Sequence, residues 1–139
     1  KKISKSQQGG YQKPTEAEHY VGKYGADLLR LWVSSVNFTD DVPFSEEIFT
    51  RLADAYRRIR NTLRILLANL HDFDPAEATA TAELPFIDAW ILARLREVTA
   101  TCLEAYKQLE FHRVYHTLNQ FCAVDLSSLY VDITKDRLY

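Results

Sequence analysis

Two stretches of this 139-residue chain carry side chains whose types and spacing suit contact with phosphate. The first is Lys2-Ile3-Ser4-Lys5-Ser6, in which two ammonium groups stand three residues apart with hydroxyl groups between them. Point charges and donors on a loop suit transient contact with phosphate oxygens and can respond to charge that develops in a transition state. A solvated basic tail has the same composition, and the five residues alone favour that simpler interpretation.

The second stretch is rich in arginine and forms what we call the arginine face. Guanidinium groups bind phosphates through paired hydrogen bonds and stack on unpaired bases. Carboxylates at Glu46, Glu47 and Asp54 are expected to neutralise part of the field, so composition gives nucleic-acid contact and a plain charged surface equal weight. The residues of the arginine face are Arg57, Arg58, Arg60, Asn61 and Arg64.

Other reactive side chains give weaker signals. His112 and His116 have the i, i+4 spacing of metal ligands on a helix, but no glutamate follows His112 and no third ligand is evident. Cys102 and Cys122 are interpreted as small buried residues in a reducing cytoplasm. The sequence therefore predicts no metal site and no complete catalytic constellation in this chain.

Composition is that of a single globular domain. Hydrophobic residues make up 47% and charged residues 26%, which excludes a mainly disordered chain. The chain contains no apolar run long enough for a membrane helix and no apolar segment of a signal peptide near its start. The formal net charge of -2 gives no overall attraction for nucleic acid, so any polyanion site requires clustered positive charge.

Glycine and proline mark the boundaries of long helices. All four glycines precede residue 26, and the prolines stand at residues 14, 43, 75 and 85. From residue 45 onward the turn residues of an all-β fold never appear at the required spacing. The predicted fold class is all-α, an up-and-down helical bundle preceded by a flexible loop over residues 1–13.

Hydrophobic periodicity predicts two short and three long helices. The short ones cover about residues 14–24, with Gly25 as the terminating residue, and 27–36. The long ones cover about 45–72, with Ser45 as N-cap, 85–109, and 112 to the C-terminus. At 100° per residue Arg57, Arg60, Asn61 and Arg64 point away from the core, and Arg58 flanks them. The predicted core residues are Leu28, Leu31, Trp32, Val36, Ile48, Leu52, Ala55, Tyr56, Ile59, Leu63, Leu66, Leu70, Ile87, Ile91, Leu95, Val98, Cys102, Leu103, Val114, Leu118, Phe121, Leu126, Leu129 and Ile133.

The order of these segments resembles that of bacterial isoleucyl-tRNA synthetase, a class I aminoacyl-tRNA synthetase. The resemblance covers essentially the whole chain, and its most specific parts are RRIRNTLR at residues 57–64 and DLSSLYVDITKDRLY at residues 125–139. KISKS, YGADLLRLWVSS and DDVPFSEE precede the first of these parts, and EFHRVYHTLNQFCAV precedes the second.

The resemblance implies a division of the chain into three parts. Residues 1–13 would hold the KMSKS signature loop at the end of a catalytic domain, with Ile3 in place of the usual methionine and QQGGYQKP where LGNVVDP is commoner. In that family the loop closes over ATP, bound with Mg, and Lys5 matches the lysine that contacts the phosphates. Residues 14–40 would form a helical junction, and residues 41–139 most of the anticodon-binding helical bundle.

The resemblance further implies that the full-length enzyme ligates isoleucine to its tRNA with ATP in the cytoplasm, as a monomer and without a membrane. The bundle would receive the anticodon stem-loop of isoleucine tRNA, and the arginine face would contact its phosphates and base edges. This fragment alone would be inactive and hold no cofactor, because the rest of the nucleotide site, the editing domain and the family's zinc module lie outside it.

Two alternatives compete with this interpretation. One is the equivalent domain of valyl-tRNA synthetase, which would keep the role and change the cognate tRNA. The other is a stand-alone helical module whose arginine face docks an acidic protein surface. The two specific parts of the resemblance argue against both.

Overall fold

The computed structural model describes residues 17–42 and 44–138, and most of these residues are helical. In these ranges there is no β-strand, so the all-α prediction is confirmed. The predicted loop over residues 1–13 lies outside the described residues. The helices are α1 (Ala17–Tyr24), α2 (Ala26–Ser35), α3 (Glu46–Ala68), α4 (Phe86–Lys107), α5 (Phe111–Gln120) and α6 (Asp132–Leu138). A π-helical segment, Phe121–Val131, joins α5 to α6, and two 3₁₀ turns, Pro75–Glu77 and Thr81–Glu83, lie between α3 and α4.

The ends of the first three helices follow their local sequence. Gly25 separates α1 from α2 with φ 87° and ψ 154°, a conformation that is essentially restricted to glycine. Its N–H donates to the carbonyl oxygen of Val21 at 2.9 Å. Ser45 adopts an extended conformation, and its hydroxyl accepts from the N–H of Ile48 at 3.3 Å. Both predicted helix boundaries are confirmed.

The core consists of two apolar clusters. The first is aromatic and joins α1 and α2 to the N-terminal half of α3: the ring of Phe49 lies 5.2 Å from that of Tyr20 and 5.5 Å from that of Trp32. The second joins α4, α5 and the π-helical segment, and Ile59 and Leu66 of α3 pack against it. Because α3 contributes to both clusters, it connects the two ends of the bundle.

A tight turn brings α4 and α5 together as antiparallel neighbours. Leu109 takes φ 59°, the left-handed conformation that usually selects glycine at this position. The N–H of Glu110 donates to the carbonyl oxygen of Ala105 at 2.9 Å, and the N–H of Leu109 donates to that of Tyr106 at 3.1 Å. This pair of bonds is a Schellman motif, which ends α4 and starts the return of the chain.

The predicted last long helix is confirmed as an unbroken helical run over residues 111–138, but its middle part, Phe121–Val131, is π-helical. Side chains of the π-helical segment form hydrogen bonds with both α3 and α4. Ser127 Oγ lies 2.8 Å from Thr62 Oγ1 of α3, and Asp125 accepts from Arg94 of α4 at 3.1 Å. Ser128 Oγ donates to the carbonyl oxygen five residues earlier, at 2.8 Å. The segment therefore lies between α3 and α4.

A polar cluster attaches α6 to the first turn of α4. The Asp88 carboxylate accepts hydrogen bonds from the two terminal guanidinium nitrogens of Arg137, at 2.8 and 3.0 Å, and from the Tyr130 hydroxyl at 2.8 Å. The Arg137 hydrogen bonds hold the pKa of Asp88 below its ordinary value. Burial raises the pKa of Tyr130, and the neighbouring carboxylate raises it further. The end of the described chain is thus tied to the bundle.

Several predicted core residues are exposed, so the periodicity overestimated the width of the buried faces. Apolar residues can lie beside a helix's buried strip without being covered, because coverage depends on where the neighbouring helix crosses. The exposed residues are Leu63, Leu70, Leu95, Leu103, Leu118, Leu129 and Ile133. None of the helices in the described ranges is long and apolar enough to cross a bilayer.

Candidate nucleic-acid interface

All five residues of the arginine face are exposed on α3, as predicted. The buried residues Ala55 and Thr62 lie on the side of α3 opposite Arg57, Arg60 and Arg64, and they fix the orientation of the helix on the bundle. At about 1.5 Å rise per residue, the face from Arg57 to Arg64 is about 10 Å long. Its cations are therefore close enough to contact neighbouring phosphates of one nucleic-acid strand.

The positive charge of this face is less neutralised than the sequence suggests. Arg57 is paired with Asp54 one turn earlier, and both side chains are exposed. The other two expected carboxylates act at the N-terminal end of α3: Glu46 accepts from Lys23 at 3.0 Å, and Glu47 pairs with Arg51. They lie about 20 Å along the helix from the centre of the arginine face. Their charge is therefore largely compensated elsewhere.

Three cations of the arginine face have no carboxylate partner within ion-pair distance in residues 17–42 and 44–138. They are Arg58, Arg60 and Arg64. Arg58 lies near Tyr115 of α5, where burial raises the pKa of the phenol and the guanidinium opposes that rise. Arg60 and Arg64 project one turn apart on the side of α3 away from Thr62. These two are the cations most available to an anion from solvent.

Arg60 and Arg64 border an open apolar groove along α3. The groove has a volume of about 640 Å³, and its remaining lining residues are Tyr56, Ile59, Leu63, Leu67 and Ala68. Leu63 is 52% exposed and Leu67 68% exposed, so the groove has an uncovered apolar floor. The groove was not predicted, because Leu63 has the spacing of a core residue in the sequence. The available signal was an apolar stripe on α3 wider than one neighbouring helix could cover.

This combination of an apolar floor and cationic borders suits single-stranded nucleic acid. Unpaired bases stack on aromatic and apolar side chains, while guanidinium groups contact the adjoining phosphates. A regular duplex keeps its bases stacked inside and would use only the cations. The geometry therefore favours a looped or unpaired strand over a continuous double helix.

The other residues singled out in the sequence are the KISKS segment, the histidine pair and the two cysteines. Lys2, Ile3, Ser4, Lys5 and Ser6 lie outside the described residues. Within the described ranges no three His, Cys, Asp or Glu side chains are placed to hold a metal ion. The two cysteines are buried, as predicted, and burial raises the pKa of both thiols. Neither thiol is thus activated as a nucleophile.

The chain is similar in sequence to an anticodon-binding domain and to whole tRNA ligases. Residues 88–139 match the model of the anticodon-binding domain of tRNA ligase. This range contains most of α4 together with α5, the π-helical segment and α6, so these elements are similar to a tRNA-ligase anticodon-binding domain. The arginine face precedes the matched range and lies within the similarity to whole relatives. The isoleucine--tRNA ligase of Symbiobacterium thermophilum is 54% identical over 120 residues, which is 86% of this chain and 13% of that protein.

Other relatives extend this similarity to the whole chain. The isoleucine--tRNA ligase of Syntrophotalea carbinolica is 47% identical over 140 aligned positions, covering 100% of this chain and 15% of that protein. That of a Synechococcus strain is 54% identical over 117 residues, 84% of this chain. The chain belongs to the isoleucine--tRNA ligase family and spans about one seventh of the length of these relatives. The names of these three relatives specify isoleucine.

Proposed function

We propose that this chain binds the anticodon stem-loop of isoleucine tRNA through the arginine face of α3. The observation that carries the proposal is the pair Arg60 and Arg64, two exposed guanidinium groups without carboxylate partners in the described residues, on the borders of an apolar groove. A stem-loop offers both ligands that this arrangement suits, a phosphate backbone and unpaired bases. The family's anticodon-binding domain supports the same partner.

Each part of the site has a distinct role in this proposal. Arg60 and Arg64 contact backbone phosphates and set the position of the RNA. Tyr56, Leu63 and Leu67 supply the apolar floor on which a loop base packs. Asn61 offers an amide to a base edge, and Arg57 is the weakest contributor because Asp54 already pairs with it. Most of the affinity then comes from phosphate contacts, which are sensitive to salt.

The parent enzyme is proposed to be an ATP-dependent isoleucine--tRNA ligase that acts in the cytoplasm. Residues 2–6 are proposed to contact ATP, with Lys5 on its phosphates, as their likeness to the signature loop implies. Isoleucine, ATP and Mg are then ligands of the whole enzyme, whereas the 139-residue chain contributes tRNA binding. On this basis the isolated chain binds RNA without forming an aminoacyl-adenylate.

The test compares RNA binding by matched variants of this chain. Arg60→Gln/Arg64→Gln removes two cations from the groove borders, and Arg30→Gln/Arg96→Gln removes two exposed cations from α2 and α4, so both variants change net charge equally. Fluorescence anisotropy measures the affinity for an anticodon stem-loop of isoleucine tRNA at fixed salt. We expect the first variant to lose about tenfold or more in affinity, about 1.4 kcal/mol, and the control to lose much less.

Two results of this binding test would contradict the proposal. Equal losses in the two variants would show that only net charge matters and that α3 is not the interface. No RNA binding by the unaltered chain would contradict the proposal, and binding to an acidic protein in its place would support the helical interaction module.

A further inference from the structure

Thr62 is a polar residue buried in the bundle on the side of α3 opposite Arg60 and Arg64. Only 2% of its surface is exposed. Its Oγ1 donates to the carbonyl oxygen of Arg58 at 2.9 Å and lies 2.8 Å from Ser127 Oγ of the π-helical segment. Because the Thr62 hydroxyl has a single proton, Ser127 is the donor in the second bond. The two hydroxyl groups therefore link the π-helical segment to the backbone of the arginine face.

Few hydrogen bonds join the side chains of α3 to other elements. Across residues 17–42 and 44–138, α3 side chains form hydrogen bonds to other elements at two places. One is the exposed pair Lys23 and Glu46 at the N-terminal end, and the other is Thr62 with Ser127. The remaining contacts of the C-terminal half are apolar, through Ile59 and Leu66. Apolar contacts have no directional preference, whereas the hydrogen bond between Thr62 and Ser127 has a preferred geometry that constrains the rotation of α3 about its axis.

The rotation of α3 determines where the cations of the arginine face lie. Residues two apart on a helix are separated by about 200°, so Thr62 faces the bundle while Arg60 and Arg64 face solvent. A rotation of about 10° moves an atom about 6 Å from the helix axis by about 1 Å. Binding groups have to be held within about 0.5 Å of their productive positions. A small change of rotation is therefore sufficient to weaken RNA contacts.

We propose that the hydrogen bond between Thr62 and Ser127 is a positioning contact for RNA binding, because it sets the rotation of α3 and hence the placement of Arg60 and Arg64. The inference rests on the proposed function of the arginine face. Thr62 is buried and acts through the arginines without touching RNA. The π-helical segment contributes by presenting Ser127 to α3 and Asp125 to α4 at the same time.

Three substitutions test the bond against the general effect of a core mutation. Thr62→Val removes the hydroxyl and keeps the branched shape, Ser127→Ala removes the partner hydroxyl, and Thr62→Ser keeps the hydroxyl. Affinity for the isoleucine tRNA stem-loop is measured at a temperature at which circular dichroism shows every variant fully folded. We expect Thr62→Val and Ser127→Ala each to weaken binding by about three- to tenfold, and Thr62→Ser to stay within about twofold.

A double-mutant cycle separates one shared bond from two independent effects. If both hydroxyls act through one contact, Thr62→Val/Ser127→Ala binds no more weakly than either single variant. Additive losses would contradict the shared contact. A lower melting temperature of Thr62→Val with unchanged affinity would show that the bond stabilises the fold alone, and it would overturn the proposal.

The Arg60→Gln/Arg64→Gln variant in the same series distinguishes failure of this inference from failure of the proposed function. Unchanged affinity in that variant would refute RNA binding by the arginine face. It would also refute the role of the Thr62 and Ser127 hydroxyls in RNA binding, because that role acts through the arginines. Nitroxide labels at Asn61→Cys and Arg96→Cys report the placement of α3 without RNA. We expect Thr62→Val to shift or broaden their distance distribution. An unchanged distribution would overturn the positioning role even if RNA binding is confirmed.

Discussion

Replacing Gly25 by alanine is predicted to destabilise the bundle, whereas the same replacement at Gly22 is predicted to stabilise it. Gly25 has φ 87° and ψ 154° between α1 and α2, while Gly22 lies inside α1. Both glycines are exposed, and a Cβ atom added at either position would meet nothing within 4 Å. Packing and steric overlap are therefore equal at the two sites, and the backbone conformation alone decides the outcome.

The expected stability changes of the two alanine variants follow from the backbone conformations of the two glycines. A residue with a Cβ in the conformation of Gly25 costs about 1–3 kcal/mol, partly offset by the lower entropy of the unfolded alanine chain. Alanine inside an exposed helix gains about 0.5–1 kcal/mol over glycine. For a domain of this size 1 kcal/mol corresponds to about 3–4 °C in melting temperature. Gly25→Ala should thus lower Tm by about 2–8 °C, and Gly22→Ala should raise it by about 2–4 °C.

Thermal and urea unfolding followed by circular dichroism measure both effects. The aromatic cluster joins α1 and α2 to α3, so local strain at Gly25 should affect the cooperative transition. The midpoint should change in opposite directions in the two variants while the urea m-value stays constant. Shifts of the same sign and size would refute the assigned conformation of Gly25.

Two further predictions concern Asp88 of α4 and the proposed ATP contact of Lys5. Since Arg137 lowers the pKa of Asp88, the ionised carboxylate stabilises the fold above the unfolded pKa of about 3.9, and this contribution is lost as pH falls through the lower folded pKa. Asp88→Asn should therefore lower stability at pH 7, and urea titrations should show the difference from the unaltered chain narrowing below about pH 4; a constant difference would contradict the assignment. In a full-length enzyme Lys5→Ala should slow isoleucyl-adenylate formation, measured by pyrophosphate exchange, far more than it weakens isoleucine binding. A normal exchange rate would remove Lys5 from the ATP site.

Local sequence rules account for the helix boundaries. Ser45 followed by two glutamates predicts an N-cap, and Gly25 predicts the end of α1, because both depend on the conformation of a few adjacent residues. The exposure of the arginine face was equally predictable, since charged side chains on one arc of a helix remain in water. These features need no knowledge of which helices become neighbours.

Features that depend on neighbouring helices were not predictable in this way. Leu63 has the spacing of a core residue, yet it is exposed because α3 packs through a narrower strip around Thr62. The π-helical segment also escaped prediction, since its apolar pattern resembles that of an ordinary helix. Glu46 and Glu47 were expected to neutralise the arginine face, but Lys23 and Arg51 pair with them at the other end of α3. The groove and its available cations arise from this tertiary arrangement.

The salt dependence of RNA binding tests the central claim most directly. The logarithm of affinity for the isoleucine tRNA stem-loop is measured against the logarithm of salt concentration for the unaltered chain and for Arg60→Gln/Arg64→Gln. Each lost phosphate contact lowers the magnitude of the slope by about 0.7–0.9, so two contacts predict a decrease of about 1.4–1.8. The account predicts this decrease together with weaker binding. The same slope and affinity in both proteins would contradict an RNA interface at Arg60 and Arg64.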